Sequence, residues 1–182
     1  VASDGVEYAF VRLGLRGYGS GKLVLDEYFD QNMRGAKDAG IKTGVYFFTQ
    51  AITVEEAIEE ADYVLENITG YDVSYPIVFD VEMITNDDGR ANDLSQKDRT
   101  DIAIAFCDRI KAAGYTPMIY GNVKCFTKLL DMTRLNDYEK WYAFYDDYMY
   151  MPYEVGIWQY TEKGKVAGIN TGVDLNISYK EY

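Results

Sequence analysis

The sequence predicts an α/β fold, with a parallel sheet covered by helices on its outside and built as one domain. Three observations carry this reading. Strand-like and helix-like segments alternate four times before three strands close the chain. The run PIVFDVE (Pro76 to Glu82) has the length and β-branched content of a buried strand. The 182 residues are enough for one sizeable core, and no Pro-rich linker, low-complexity tract or repeat divides them.

The elements follow in order. Residues 1–7 read as the frayed end of a helix and a turn at Asp4-Gly5, ahead of a strand over Tyr8–Leu13. A Gly-rich loop, GLRGYGSGK, comes next. Asp26–Ala39 forms an amphipathic helix with Tyr28, Phe29, Met33 and Ala36 on its apolar stripe, and Gly40 ends it. KTGVYFF is the second strand. Thr53 and Glu56 make a capping box for a helix reaching Glu66. In PIVFDVE, Pro76 opens the strand, Ile77, Val78 and Phe79 carry it, and the polar loop TNDDGR follows. Ser95 starts a helix whose buried side is Ile102, Ala103, Phe106, Ile110 and Ala113, and Gly114 stops it. TPMIYGN is a strand, and Asn122 caps a short helix to Leu130. KWYAFY, VGIWQY and GVDLN then follow as strands without long helices between them. The polar link TEKGKVAGINT joins the last two as a hairpin.

Composition excludes several function classes. A net charge of −12 and a pI near 4.4 disfavour nucleic acid and anionic membranes, which need clustered Lys and Arg. The sequence has no His, which removes Ser-His-Asp and Cys-His catalysis and most zinc hydrolases. Carboxylates, Tyr and Lys remain for acid–base work. Cys107 and Cys125 each fall in a helical pattern, favouring two buried free thiols over one bridge between neighbouring helices. No apolar run approaches membrane-spanning length. No signal-peptide pattern opens the sequence, but a mature secreted protein would have lost one, so this does not place the protein in the cytoplasm.

The chemistry concentrates at the end of PIVFDVE. Side chains alternate faces along a strand, so Asp80 and Glu82 point the same way, with Cα atoms roughly 6.5–7 Å apart. Two acids side by side at the end of a buried strand are costly unless something needs them. The carboxyl end of a parallel barrel strand is where active sites are built. Eighteen Tyr and two Trp offer rings that stack on sugars while their polar edges hydrogen-bond. The structural alternative for Asp80 is an ion pair with Arg12 or Arg90.

The motifs FVRLGLRGYGSG, NMRGAKDAGIKTGVYFF, PIVFDVE and IWQY…KVAGINTGVDLN, in that order, resemble glycoside hydrolase family 25, lysozymes that cut muramic acid linkages in peptidoglycan. The resemblance runs over the whole chain. It implies a TIM-like (β/α)5(β)3 barrel, one strand–helix unit more than the residues themselves show. The unit without a counterpart is the first, whose strand in family members is close to I-D-V-S and supplies an acid to the site. The expectation is therefore an N-terminally truncated barrel, less stable than a closed one. It would be a monomer when intact and prone to self-association through its open edges as it stands.

The same resemblance assigns the site. Glu82 is the expected proton donor, its pKa raised by its neighbour. Asp80 would stay charged and orient the substrate's N-acetyl group for its own attack on the anomeric carbon; a water-mediated inverting route stays open beside it. Asp174, in GVDLN, matches the third acid, with a turn residue as its alternative reading. Tyr46, Phe48, Tyr120, Trp141, Tyr145, Trp158, Gln159 and Arg12 are the candidate substrate contacts, with barrel packing as the alternative for each aromatic; Trp158 and Gln159 face opposite ways, so at most one enters the cleft. No cofactor and no metal are implied, and the expected partner is the peptidoglycan glycan strand, at the cell wall or outside the cell. Two other readings stand beside the muramidase: a catalytically impaired peptidoglycan binder, and a divalent-metal phosphodiesterase using Asp80, Glu82 and Asp174 as ligands.

Overall fold

A single 3-10 turn, Ala2–Asp4, opens the chain, and Gly5 closes it in the left-handed region at φ +81°. The structure, a computed structural model, describes residues 1–85 and 88–182. Strand β1 spans Tyr8–Arg16 and β2 spans Leu23–Leu25. Helix α1 (Phe29–Asp38), β3 (Lys42–Phe48), α2 (Val54–Asn67), β4 (Ile77–Asp80) and α3 (Gln96–Ala112) follow. Strand β5 (Pro117–Asn122) leads into a π turn over Cys125–Leu129, and β6 (Glu139–Ala143), β7 (Ile157–Gly164) and β8 (Val173–Ser178) end the chain.

The strands form one curled sheet in the order β2-β1-β3-β4-β5-β6-β7-β8. Pairs from β1–β3 through β6–β7 are parallel, whereas β1–β2 and β7–β8 are antiparallel. The sheet is a half-barrel: among the described residues no strand joins β8 back to β1. Strand alternation splits the apolar side chains between two cores. Val11, Leu13, Val45, Phe47, Ile77, Phe79 and Ile119 face outward and pack with the helices. Val78, Met118, Trp141 and Ile157 face inward, with Tyr8, Phe10, Tyr46, Tyr120 and Tyr182 against them.

Helices α2 and α3 start where the sequence places their caps: Thr53 accepts from the Glu56 N–H and Ser95 from the Asp98 N–H. The thiols of Cys107 and Cys125 are free and buried. Several details differ from the sequence reading. Helix α1 begins at Phe29, not Asp26, because the Asp26 carboxylate is taken by the Tyr28 N–H and the Arg12 guanidinium in a turn. Tyr28 is consequently exposed, and Ala113 is exposed at the end of α3. Strand β1 runs on to Arg16 and pairs with β2, which the Gly-rich loop conceals; a Cβ at Gly14 would collide with the Val24 carbonyl. Strand β4 stops at Asp80 and β6 at Ala143, so Glu82 and Tyr145 lie beyond their strands. Of the expected loop TNDDGR, Asn86 and Asp87 lie outside the described residues.

Candidate active site

Parallel strands end together, so the carboxyl ends of β3, β4, β5 and β6 make one rim. Register puts Phe48, Asp80, Tyr120, Trp141 and Ile157 in one row across it. Two hollows meet there. The larger, about 1460 Å³, runs along the opening between β1 and β8 and includes Tyr46, Asp80, Glu82, Tyr120, Trp141, Gln159 and Asp174 in its wall. The smaller, about 670 Å³, lies under the Gly-rich loop and is lined by Arg12, Tyr18, Tyr46, Phe48, Asp80, Glu82 and Ile84 among others. Tyr46, Asp80 and Glu82 belong to both, so the acid pair stands at the divide.

Asp80 is 5% exposed, and its Oδ1 is buried without a hydrogen-bond partner in the protein. Burial pushes its carboxyl well above the usual range, and the Glu82 charge beside it adds to this. Burial raises Glu82 as well; a hydrogen bond with Asp80 opposes this, and the Asp174 charge reinforces it. Both carboxyls of the pair are thus held above their usual range, Asp80 the more strongly, so both are shifted toward the protonated form. Asp174 is itself raised, by burial and then by Glu162. The alternative ion pairs for Asp80 do not form: Arg12 binds Asp26 at 2.6 Å and Arg90 binds Glu56 at 2.7 Å.

The aromatic candidates separate into classes. Trp141 stacks on Phe10 (centroids 4.5 Å apart) and takes the edge of Tyr120 (4.8 Å), while its Nε1 donates to Asn176 at 2.7 Å. Burial, then Asp80, pushes the Tyr46 hydroxyl up to about 12. Phe48 lines the smaller hollow only. Gln159 faces inward, where its Oε1 accepts from the Tyr120 hydroxyl at 3.0 Å and the Tyr145 hydroxyl at 2.7 Å. Trp158 faces away: its Nε1 donates to the Phe144 carbonyl at 2.7 Å, and it touches neither hollow. Two neighbours escaped the sequence reading. The Cys125 thiol donates to the Val81 carbonyl at 3.0 Å, behind the acid pair, and Asn176 ties Trp141 to the strand carrying Asp174. The VDLN segment holds Asn176 next but one to Asp174, which is the signal that could have found it. Among the described residues no group of three or more Cys, Asp or Glu side chains is gathered closely enough to hold a metal ion, and no helix is long and apolar enough to cross a membrane.

The model of the family described as Glycosyl hydrolases family 25 matches residues 1–169, and the chain belongs to that family. An uncharacterized protein, YegX of Escherichia coli K12, is 27% identical over 178 residues, which are 94% of this chain and 59% of YegX. The chain thus spans well under two thirds of that relative's length. A protein of Streptococcus phage B30 named D-alanyl-L-alanine endopeptidase is 34% identical over 140 residues, 65% of this chain and 28% of that protein. The autolysin LytC of Streptococcus pneumoniae, solved in complex with a synthetic peptidoglycan ligand, superposes with a TM-score of 0.84 at 27% identity over 98% of this chain and 42% of its own.

Proposed function

We propose that this chain is a peptidoglycan hydrolase acting at the cell wall or outside the cell, cutting the β-1,4 bond between N-acetylmuramic acid and N-acetylglucosamine. The observation that carries the reading is the carboxyl pair Asp80–Glu82, both raised, at the meeting of two hollows, with Asp174 acting on Glu82 from β8. Membership of family 25 and the likeness to LytC, solved with a synthetic peptidoglycan ligand, support the substrate class. A glycan strand lying across both hollows passes its scissile oxygen over the divide. An acetamido N–H reaching the unpartnered Asp80 Oδ1 stabilises the carboxylate there. A proton then rests on Glu82, which is partly open to solvent and placed to protonate the leaving oxygen. Asp80 in turn holds the acetamido group for attack on the anomeric carbon.

The test is clearing of a cell-wall suspension by the chain and by Glu82→Gln. The wild type clears walls, and the variant, with an unchanged melting temperature, loses activity by about 10²–10⁴-fold. Full clearing by the variant ends the proton-donor assignment. A second reading, a barrel that binds peptidoglycan without cutting it, is favoured by the open β1–β8 side, where no described strand faces Asp174. Wall binding without clearing by the wild type would establish it.

A further inference from the structure

We propose that Gln159 is a positioning residue: it commits the hydroxyl protons of Tyr120 and Tyr145 to its own carbonyl, so that both phenolic oxygens meet the substrate and Glu82 only as acceptors. The inference deepens the proposed hydrolase reading and rests on it for the identity of the substrate.

Gln159 is 2% exposed, and what little surface it keeps lies in the wall of the larger hollow. Its backbone is pinned between Ala143 and Asn176 in register, and its carbonyl accepts from the Phe144 N–H at 3.1 Å. An amide oxygen has two lone pairs, and here two hydroxyls use them, at 3.0 and 2.7 Å. A phenol has one proton. Once that proton is given to Gln159, the oxygen can offer only lone pairs in other directions. Tyr145 is half exposed at the rim, so its free lone pairs are available to a sugar hydroxyl or an acetamido N–H.

Tyr120 has the larger consequence. Tyr120 lies beside Asp80 in register and in the same wall as Glu82, and its hydroxyl feels both carboxyls. A hydroxyl donating to Glu82 would favour the carboxylate; one that can only accept favours the carboxylic acid. Gln159 thereby withholds a stabilising proton from the Glu82 anion. The other groups acting on Glu82 are Asp80, Asp174, Tyr145 and the Cys125 thiol; Arg12 acts on Asp80. Of these only Tyr145 also bonds the Tyr120 hydroxyl, and since its own proton goes to Gln159 it can take the Tyr120 proton but not direct it toward Glu82.

The experiment is carboxyl-detected NMR titration of Glu82 in the wild type, Gln159→Leu, Tyr120→Phe and the double variant, with cell-wall clearing followed across pH in parallel. Gln159→Leu frees the Tyr120 proton, and the Glu82 midpoint falls by about one pH unit. In the Tyr120→Phe background the same substitution moves it no further, because there is no hydroxyl to release. The alkaline limb of clearing falls with the midpoint. If Gln159→Leu does not fold, Gln159→Met, an unbranched side chain of similar length, takes its place. An unchanged midpoint in a folded variant, or an equal shift with and without the Tyr120 hydroxyl, overturns the proposal. A wild type that clears no walls overturns the hydrolase reading, while the titration still decides the role of Gln159.

Discussion

Asp80 is the last residue of β4 and is buried, whereas Glu82 stands two residues beyond the strand and keeps partial access to solvent. The two carboxyls therefore compete for one proton from unequal surroundings. Burial raises Asp80 more strongly than Glu82, so in the proposed reaction a ligand group that donates to Asp80 leaves the proton to Glu82.

Asp174 raises Glu82 from across the larger hollow. Removing that charge in Asp174→Asn lowers the Glu82 pKa, so Glu82 loses its proton at lower pH. The alkaline limb of wall clearing should move toward acid, by about half to one pH unit. A pH series of clearing rates checks this, and an unmoved limb would separate Asp174 from the acid pair.

Stability should also depend on pH through Glu60. This carboxyl is fully buried in α2, 2.8 Å from Arg16 and 2.6 Å from the Thr49 hydroxyl. Burial outweighs both and pushes it up to about 7. A carboxyl raised on folding binds its proton more tightly in the native state, so stability is lost as pH rises from its unfolded value through 7. Asp80 and Glu82, also raised, act in the same direction. Asp26 and Glu56 are lowered and reverse the trend at lower pH. Thermal melts should peak near pH 4–5, and Glu60→Gln should flatten the fall between pH 5 and 7. Equal slopes in variant and wild type would count against a raised Glu60.

The two tryptophans should behave differently. Trp141→Phe removes the donor that holds Asn176, whose amide reaches the Asp174 carbonyl at 3.4 Å. Turnover should fall about five-fold, the equivalent of one hydrogen bond of about 1 kcal/mol. Trp158→Phe loses only its bond to the Phe144 carbonyl, so it should lower the melting temperature and leave the Michaelis constant unchanged. Kinetics with both variants decide the matter.

The open sheet leaves the outer edge of β8 without a described strand, which favours pairing between copies. A net charge of −12 opposes it. Salt shortens the reach of that repulsion, to about 8 Å at physiological strength and about 3 Å at 1 M. Sedimentation velocity should show monomer at low salt and concentration-dependent association at high salt. A salt-independent monomer would mean that the edge is protected.

Much of this arrangement was legible in the sequence because it depends on local rules. PIVFDVE announces its burial by its apolar run, and Thr53 and Ser95 announce their helices by capping chemistry. Asp80 and Glu82 announce a site because acids are expensive in that position. What was not legible depends on contacts between distant segments. Strand β2 has only three residues, two of them exposed, and exists because Gly14 lets the chain approach β1. Alternation showed that Trp158 and Gln159 face opposite ways, but only pairing with Ala143 and Asn176 decides which one faces in. The start of α1 moved because Arg12, 14 residues away, captures Asp26.

The central claim is the bond that is cut. Purified peptidoglycan should be digested with the chain, reduced with borohydride, and its fragments identified by mass spectrometry. The account predicts fragments ending in reduced N-acetylmuramic acid, absent from the Glu82→Gln digest. Fragments ending in reduced N-acetylglucosamine, or cleavage confined to the peptide stems, would contradict it.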